Sequence, residues 1–382
     1  MPESRVLVLS FTDQARDPRV NRQLRFLAAR WSVHACGKGD PRLPGVEYTG
    51  IAARRKGLAG RARGAARLLA RRHERYYWAR ADVVAAAARL AGRRHELVVA
   101  NDLETLPLAL RLADGAPVLF DAHEYAPLEF EEQLSFRLLQ QPYSTHLCRA
   151  YIPRVAAMTT VCDGIAARYA ADTGVRPEVV WNAPDYEPDL RPRAPAPGQP
   201  LRLVHHGGAM PARHTELMIR AVRRAGPGVT LDLVLVAGDP SYLERLRREA
   251  GGDPRVRFVP PVPMRELPRF LNGYDAGLHL LPPTNFNNLH SLPNKFFEFV
   301  QARLALVLGP SPEMVPLVER HGLGYLARDF SVEALAEALA RLTPDGVARC
   351  REAAHRAARE LSAESSRARL VGIAARLFGE DA

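Results

Sequence analysis

The chain lacks any run of about 18 consecutive apolar residues, so the sequence offers no membrane-spanning helix. Its start, MPESRVLVLSF, moves straight into an apolar strand and lacks the basic, apolar and small-residue sections of a signal peptide. Cysteine is scarce: Cys36, Cys148, Cys162 and Cys350 are scattered, with no CxxC pair. That spacing suggests neither a disulfide framework nor a zinc site, and a metal-free protein of the reducing cytoplasm is expected. GxSxG, HExxH and the Walker lysine motif are missing, which counts against serine hydrolase, zinc protease and P-loop chemistry. Lysine is nearly absent, with Lys38, Lys56 and Lys295 set among arginines. Where such a chain keeps a lysine, the need expected is a compact ammonium in place of a planar fork.

What is present, first, is positive charge. The formal net charge is +11, and most of it lies between residues 51 and 95. There a dozen arginines and Lys56 face only Glu74 and Asp82. Such a segment attracts anionic lipid headgroups or nucleic acid, or is a solvated helix face. No nucleic-acid-binding motif accompanies the charge, so no nucleic-acid partner is expected. Peripheral contact with the inner face of an anionic membrane is the partner reading this segment supports.

Second, β-branched apolar runs alternate with alanine- and leucine-rich helical stretches. Arg5–Ser10, Ser32–Cys36, Leu97–Ala100, Val118–Phe120 and Met158–Val161 form one set of predicted strands. Arg202–His206, Leu231–Ala237, Val256–Val259, Ala276–Leu281 and Leu304–Leu308 form another. Strands apolar on both faces and separated by helices indicate parallel sheets covered on both sides. Between the sets, NAPDYEPDLRPRAPAPGQP is too rich in proline for helix or central strand and reads as a connector. The expected organisation is a doubly wound α/β domain over 1–183, a linker at 184–200 and a second Rossmann-like domain over 201–360. A final helix within 361–382 packs back on either domain. Ligands of such sheets sit beyond the carboxyl ends of the strands, so a cleft between two hinged domains is expected to hold the chemistry.

The loops at those strand ends carry the candidate residues. In RLVHHGGAMPARHTELMIRAV, Gly207 and Gly208 allow backbone amides to approach an anion, Arg213 adds a bidentate cation, and Thr215 is placed to cap the following helix. The alternative is a tight turn with a surface arginine. In LHSLPNKFFEFV, Lys295 sits at a helix start, where the dipole is already positive; that is unfavourable unless an anion is bound. Glu298, one turn on, offers two acceptor oxygens to a ribose, or forms an ordinary pair with Lys295. In the first half, Asp102 ends one strand and Asp121, His123 and Glu124 follow another. These groups suit sugar hydroxyls or proton handling, although His123 also fits a buried structural role.

These segments resemble the family 4 retaining glycosyltransferases of GT-B fold. The similar stretches are SFTDQARDPRVNRQLRFLA, ANDLETLPLAL, LFDAHEY, VVWNAPD, HHGGAMPARHTELMIRA and, most specifically, LPNKFFEFV. The resemblance implies two Rossmann-like domains and transfer of a hexose from a nucleotide sugar to an acceptor hydroxyl, with retention and without metal or other cofactor. It implies that Arg213 and Lys295 hold the diphosphate, that Glu298 binds ribose, and that Gly207, Gly208, His290 and Asn294 complete the donor site. It places His123 near the anomeric carbon and Arg19, Asp102, Asp121 and Glu124 on the acceptor side. Surface polysaccharide, glycolipid and natural-product acceptors all remain open. Two positions depart from the family pattern: His290 stands where a first glutamate is usual, and Arg303-Leu304 replaces a small glycine. A nucleotide-sugar epimerase of the same architecture and a non-catalytic protein docking on anionic surfaces are the competing readings.

Overall fold

In the computed structural model, which describes residues 5–52 and 57–380, each half of the chain builds one parallel sheet. The first contains β1 (Val6–Asp13), β2 (Val33–Lys38), β3 (Val46–Gly50), β4 (Leu97–Asn101), β5 (Val118–Ala122), β6 (Ala157–Thr160) and β7 (Glu178–Val179). Their order is β3-β2-β1-β4-β5-β6-β7. The second contains β8 (Leu201–Ala209), β9 (Val229–Ala237), β10 (Val256–Val259), β11 (Ala276–His279), β12 (Ala305–Leu308) and β13 (Gly324–Leu326), in the order β10-β9-β8-β11-β12-β13. Both are doubly wound, with strand order reversing between β1 and β4 and between β8 and β11. Central strands such as β4 and β12 are buried at every position, as the apolar runs require.

Three strands escape the sequence reading. β3 is half-exposed at all five positions, β7 has two residues, and β13 has three half-buried ones. None carries the continuous apolar run that marks an inner strand. β8 runs three residues past its predicted end, so Gly207 and Gly208 pair with Leu235 and Val236 in the sheet instead of lying in a loop.

The chain divides into two compact units. The first takes residues up to Trp181, together with Asn285–Asn287 and everything from Ser366 onward. The second takes Asn182–Thr284 and Asn288–Ser365. The proline-rich connector therefore belongs to the second unit: Asn272 donates to the Arg191 carbonyl at 3.0 Å, and the Arg303 guanidinium donates to the Glu187 carbonyl at 2.5 Å. The final helix, Ala363–Phe378, joins the first unit, where Leu370, Ile373, Ala374 and Ala375 pack with Val6, Val8, Val20, Leu24 and Leu27. Glu380 then receives hydrogen bonds from Arg5 at 3.0 Å and from Trp31 at 3.2 Å. No helix among the described residues is long and apolar enough to cross a membrane.

Of the basic segment, Arg54, Arg55 and Lys56 lie outside the described residues. Arg61, Arg63, Arg71, Arg72, Arg75, Arg89, Arg93 and Arg94 are exposed. Arg80 is not part of that surface. Its guanidinium is largely buried and pairs with Asp82 at 2.8 Å and Glu104 at 2.7 Å.

Candidate functional site

In the second unit the candidate residues gather at the carboxyl ends of β8 and β11, the point where strand order reverses. His205 and His206 close the buried part of β8, and His279 closes β11. His205 and His279 stack with ring centroids 5.8 Å apart and an interplanar angle of 7°. Burial first, and then the neighbouring Lys295 ammonium, hold all three imidazoles well below their usual pKa range, so they are neutral. His206 Nε2 lies 3.3 Å from Glu298, but with a neutral ring this contact is not an ion pair.

The helix Asn294–Gln301 delivers Lys295 and Glu298. Pro293 precedes it and no side chain caps it, so its first-turn amides keep their dipole directed outward. Phe296, Phe297, Phe299 and Val300 bury its inner face. A Cβ on Gly277 of β11 would come within 2.3 Å of the Phe299 ring, so the glycine is what lets this helix seat against the sheet. Asn294 and Lys295 are half-buried at the helix start and Glu298 is 6% exposed.

Three of the predicted groups, Gly207, Arg213 and Glu298, act on Lys295. A Cβ on Gly207, whose φ is +128°, would stand 2.9 Å from both Cε and Nζ of Lys295. Burial, and then the Arg213 guanidinium, lower the ammonium to about 8, against the pull of Glu298. Arg213 itself comes from the short turn Pro211–Arg213. A lysine ammonium weakened by burial and a neighbouring guanidinium suits an anion, whose charge would relieve it. Gly208 is exposed beside them.

The sequence reading needs correcting on some of its details. Thr215 does not cap its helix: His214, at φ 48°, occupies the cap position, and the Thr215 hydroxyl is buried without a hydrogen bond. His290 Nδ1 lies 2.7 Å from a carboxylate oxygen of Glu313, a neighbour the sequence did not suggest. Arg303 stands at φ 59°, in the left-handed region that favours glycine. Its buried guanidinium is taken up by the carbonyls of Val300, Gln301 and Glu187 and by His355.

In the first unit Asp102, at φ 64°, follows β4, and His123 follows β5. His123 lies 3.3 Å from Asp102 and 3.4 Å from Asp121. Burial opposes its protonation, but the two carboxylates outweigh burial and raise its pKa. Arg19 and Asp121 are committed to each other and are not open to an acceptor: Arg19 Nε donates to Asp121 at 2.8 Å and Nη1 to the Val180 carbonyl at 3.0 Å. Thr159 and Gln23 also donate to Asp121. Asp102, His123 and Glu124 instead line a cavity of about 750 Å³, together with Glu104, Glu129 and Tyr143. Sequence reading missed Glu129 and Tyr143, because the lining is drawn from residues 76 to 147 and no local pattern links them. Among the described residues no cluster of histidine, cysteine and carboxylate side chains is placed to hold a metal.

No family model matches this chain, and no curated protein matches it in sequence. Solved structures do. A sucrose-phosphate synthase from Thermosynechococcus elongatus is 15% identical with a TM-score of 0.75, over 98% of this chain and 99% of that one. A trehalose-phosphate synthase (UDP-forming) from Burkholderia vietnamiensis is 16% identical with a TM-score of 0.70, over 98% and 100%. HepE of Anabaena, solved with UDP-glucose, is 13% identical with a TM-score of 0.68, over 98% and 100%. At these identities the likeness is one of fold, and the fold is the GT-B architecture of two Rossmann-like domains.

Proposed function

We propose that this chain is a glycosyltransferase that moves a hexose from a nucleoside diphosphate to an acceptor hydroxyl, with retention, in the manner of the family 4 enzymes. The observation that carries this is the meeting of Lys295, Arg213 and Gly207 with Glu298 at the switch point of the second sheet. The cations face the diphosphate, the first-turn amides of the helix Asn294–Gln301 add to them, and Glu298 takes the ribose hydroxyls. As the glycosidic bond to the leaving diphosphate breaks, negative charge grows on the phosphate oxygens, and Arg213 and Lys295 stabilise it. The leaving phosphate accepts the acceptor's proton, so the reading requires no divalent ion. His123 is assigned to the sugar's side of the reaction, oriented by Asp102 and Asp121. Structural neighbours solved with UDP and UDP-glucose support a uridine donor.

A screen of nucleotide sugars for slow donor hydrolysis tests the reading directly. Release of nucleoside diphosphate from one donor is expected; conversion of that donor into an isomer would instead favour an epimerase. Gly207→Ala adds a methyl where the Lys295 ammonium lies and strains a φ of +128°. It should weaken nucleoside diphosphate binding by about tenfold while circular dichroism stays unchanged. Unaltered affinity on calorimetric titration would remove Gly207 from the site.

The exposed arginines of the basic segment, with Leu58 at 85% and Leu69 at 66% exposure, support peripheral docking on anionic lipid. Vesicles containing anionic lipid should retain the protein at low salt and release it as salt rises. Equal partitioning onto neutral and anionic vesicles would dismiss that contact.

A further inference from the structure

The cavity of the first unit has a chemical character that sugar transfer alone does not call for. Asp82, Asp102, Glu104, Glu124 and Glu129 all line it, and among the described residues Arg80 is the one arginine or lysine in its lining. That arginine is divided between Asp82 and Glu104. Asp102 faces His123 at 3.3 Å. Glu129 makes no hydrogen bond or ion pair with another side chain among the described residues. Burial, and then Glu124, Asp102 and Glu104, push it up to about 8. A half-buried carboxylate surrounded by other carboxylates is destabilised in its charged form until a cation arrives.

A second observation is independent of the charges. Tyr143, from the helix Gln141–Tyr151, lines the same cavity and is 3% exposed, yet among the described residues its hydroxyl has no hydrogen-bond partner at ordinary geometry. The nearby Arg80, which acts on it, is already spent on two carboxylates. Buried hydroxyls seldom go unpartnered, so a ligand that supplies a polar group fits here. Tyr76, Phe130 and Phe136 add aromatic surface to the wall, on which a ring can rest and which a cation favours. The volume, about 750 Å³, is that of a small-molecule site. Among the described residues no three of these carboxylates gather as metal ligands do, and separate carboxylates beside aromatic rings suit an organic cation.

We infer that this cavity takes a cationic cyclic polyol, an amino sugar or aminocyclitol, and that the acceptor hydroxyl is carried on an amine-bearing ring. The assignment of this ligand as acceptor rests on the transferase reading above; the preference for an amine does not. Ammonium groups pair with Glu129 and Glu124, the ring lies against the aromatic wall, and ring hydroxyls reach Tyr143.

The test is calorimetric titration of the full chain with 2-deoxystreptamine and with its di-N-acetyl derivative, which keeps the ring and loses the charge. The diamine is expected to bind at least about tenfold more tightly, with an affinity that falls as salt rises. Glu129→Gln keeps the shape and should remove about tenfold of that affinity. Glu124→Gln, at an exposed position, should act in the same direction. Equal binding of the two ligands, or wild-type amine affinity in both variants, overturns the inference. Titration with nucleoside diphosphates reads the other site separately. Failure of UDP, ADP, GDP and dTDP alike to bind would sink the transferase reading, while a persisting amine preference would still support the cationic cavity.

Discussion

Lys295→Ala is expected to lower turnover by two to three orders of magnitude, on the order of what loss of one transition-state donor costs in other enzymes. The lysine stands within reach of the Gly207 main chain, is half-buried, and shares its recess with Arg213. Only as the leaving diphosphate accumulates charge is its ammonium fully needed, so the loss falls on kcat more than on donor binding. Lys295→Arg should not restore the rate, because a planar fork does not fit the space that Gly207 leaves for a compact ammonium. Glu298→Ala should act differently, raising the donor KM by about tenfold through the lost ribose contact. A pH series adds a further check. Lys295 is lowered to about 8 in the protein alone, and the charged form is the one an anion prefers. Affinity for a nucleoside diphosphate should therefore weaken as pH rises through about 8, and Lys295→Ala should flatten that slope. Wild-type turnover in Lys295→Ala, with the fold intact, would refute the donor assignment.

The second large effect is on stability. Asp121→Ala leaves the Arg19 guanidinium buried and without its carboxylate, a change that costs about 3–5 kcal/mol in comparable buried pairs. Arg19→Met in the same background should recover much of that loss, since replacing both charges by apolar groups is often close to neutral. Denaturant unfolding of the single and double variants measures the coupling; additive losses would show that the pair is not a unit. Acid should reveal the same pair. Burial opposes the ionisation of Asp121, but Arg19 and His123 outweigh it and hold its folded pKa far below the unfolded value of about 4. A carboxyl depressed in this way stabilises the fold above the unfolded pKa, and that contribution drains away as pH falls below about 4. Asp121→Ala should show a flatter acid limb than the wild-type chain.

How much of this was legible beforehand differs between the two sheets' sites. The residues proposed for the donor side lie in two short segments, each at the end of an apolar strand, so strand periodicity and helix-start chemistry together singled out Gly207, Arg213, Lys295 and Glu298. His279 lay inside the predicted strand Ala276–Leu281, which ends at that residue in the structure, and the lone polar residue in the run was a signal available and not taken. On the other side, His123 and Asp102 were singled out from their strand ends, whereas the partnership of Arg19 with Asp121 spans 102 positions and leaves no local trace. Arg80 read as one more exposed cation because its partner Glu104 is 24 residues away. Glu129 and Tyr143 follow no motif; the fold alone brings them to the same wall. Edge strands were missed for the opposite reason, since half-exposed segments such as VEYTG lack the apolar signature of the inner ones.

That the first unit's core includes Leu370, Ile373, Ala374 and Ala375 has a consequence for biosynthesis. During translation the opening half of the chain emerges with Val20, Leu24 and Leu27 still lacking their cover, and it must keep that greasy strip from sticking elsewhere while roughly 180 further residues are made. The later half meets no such delay, because its own core is drawn from residues 201 to 350. Maturation of this protein therefore runs against the order of synthesis, with the part made first being the part finished last.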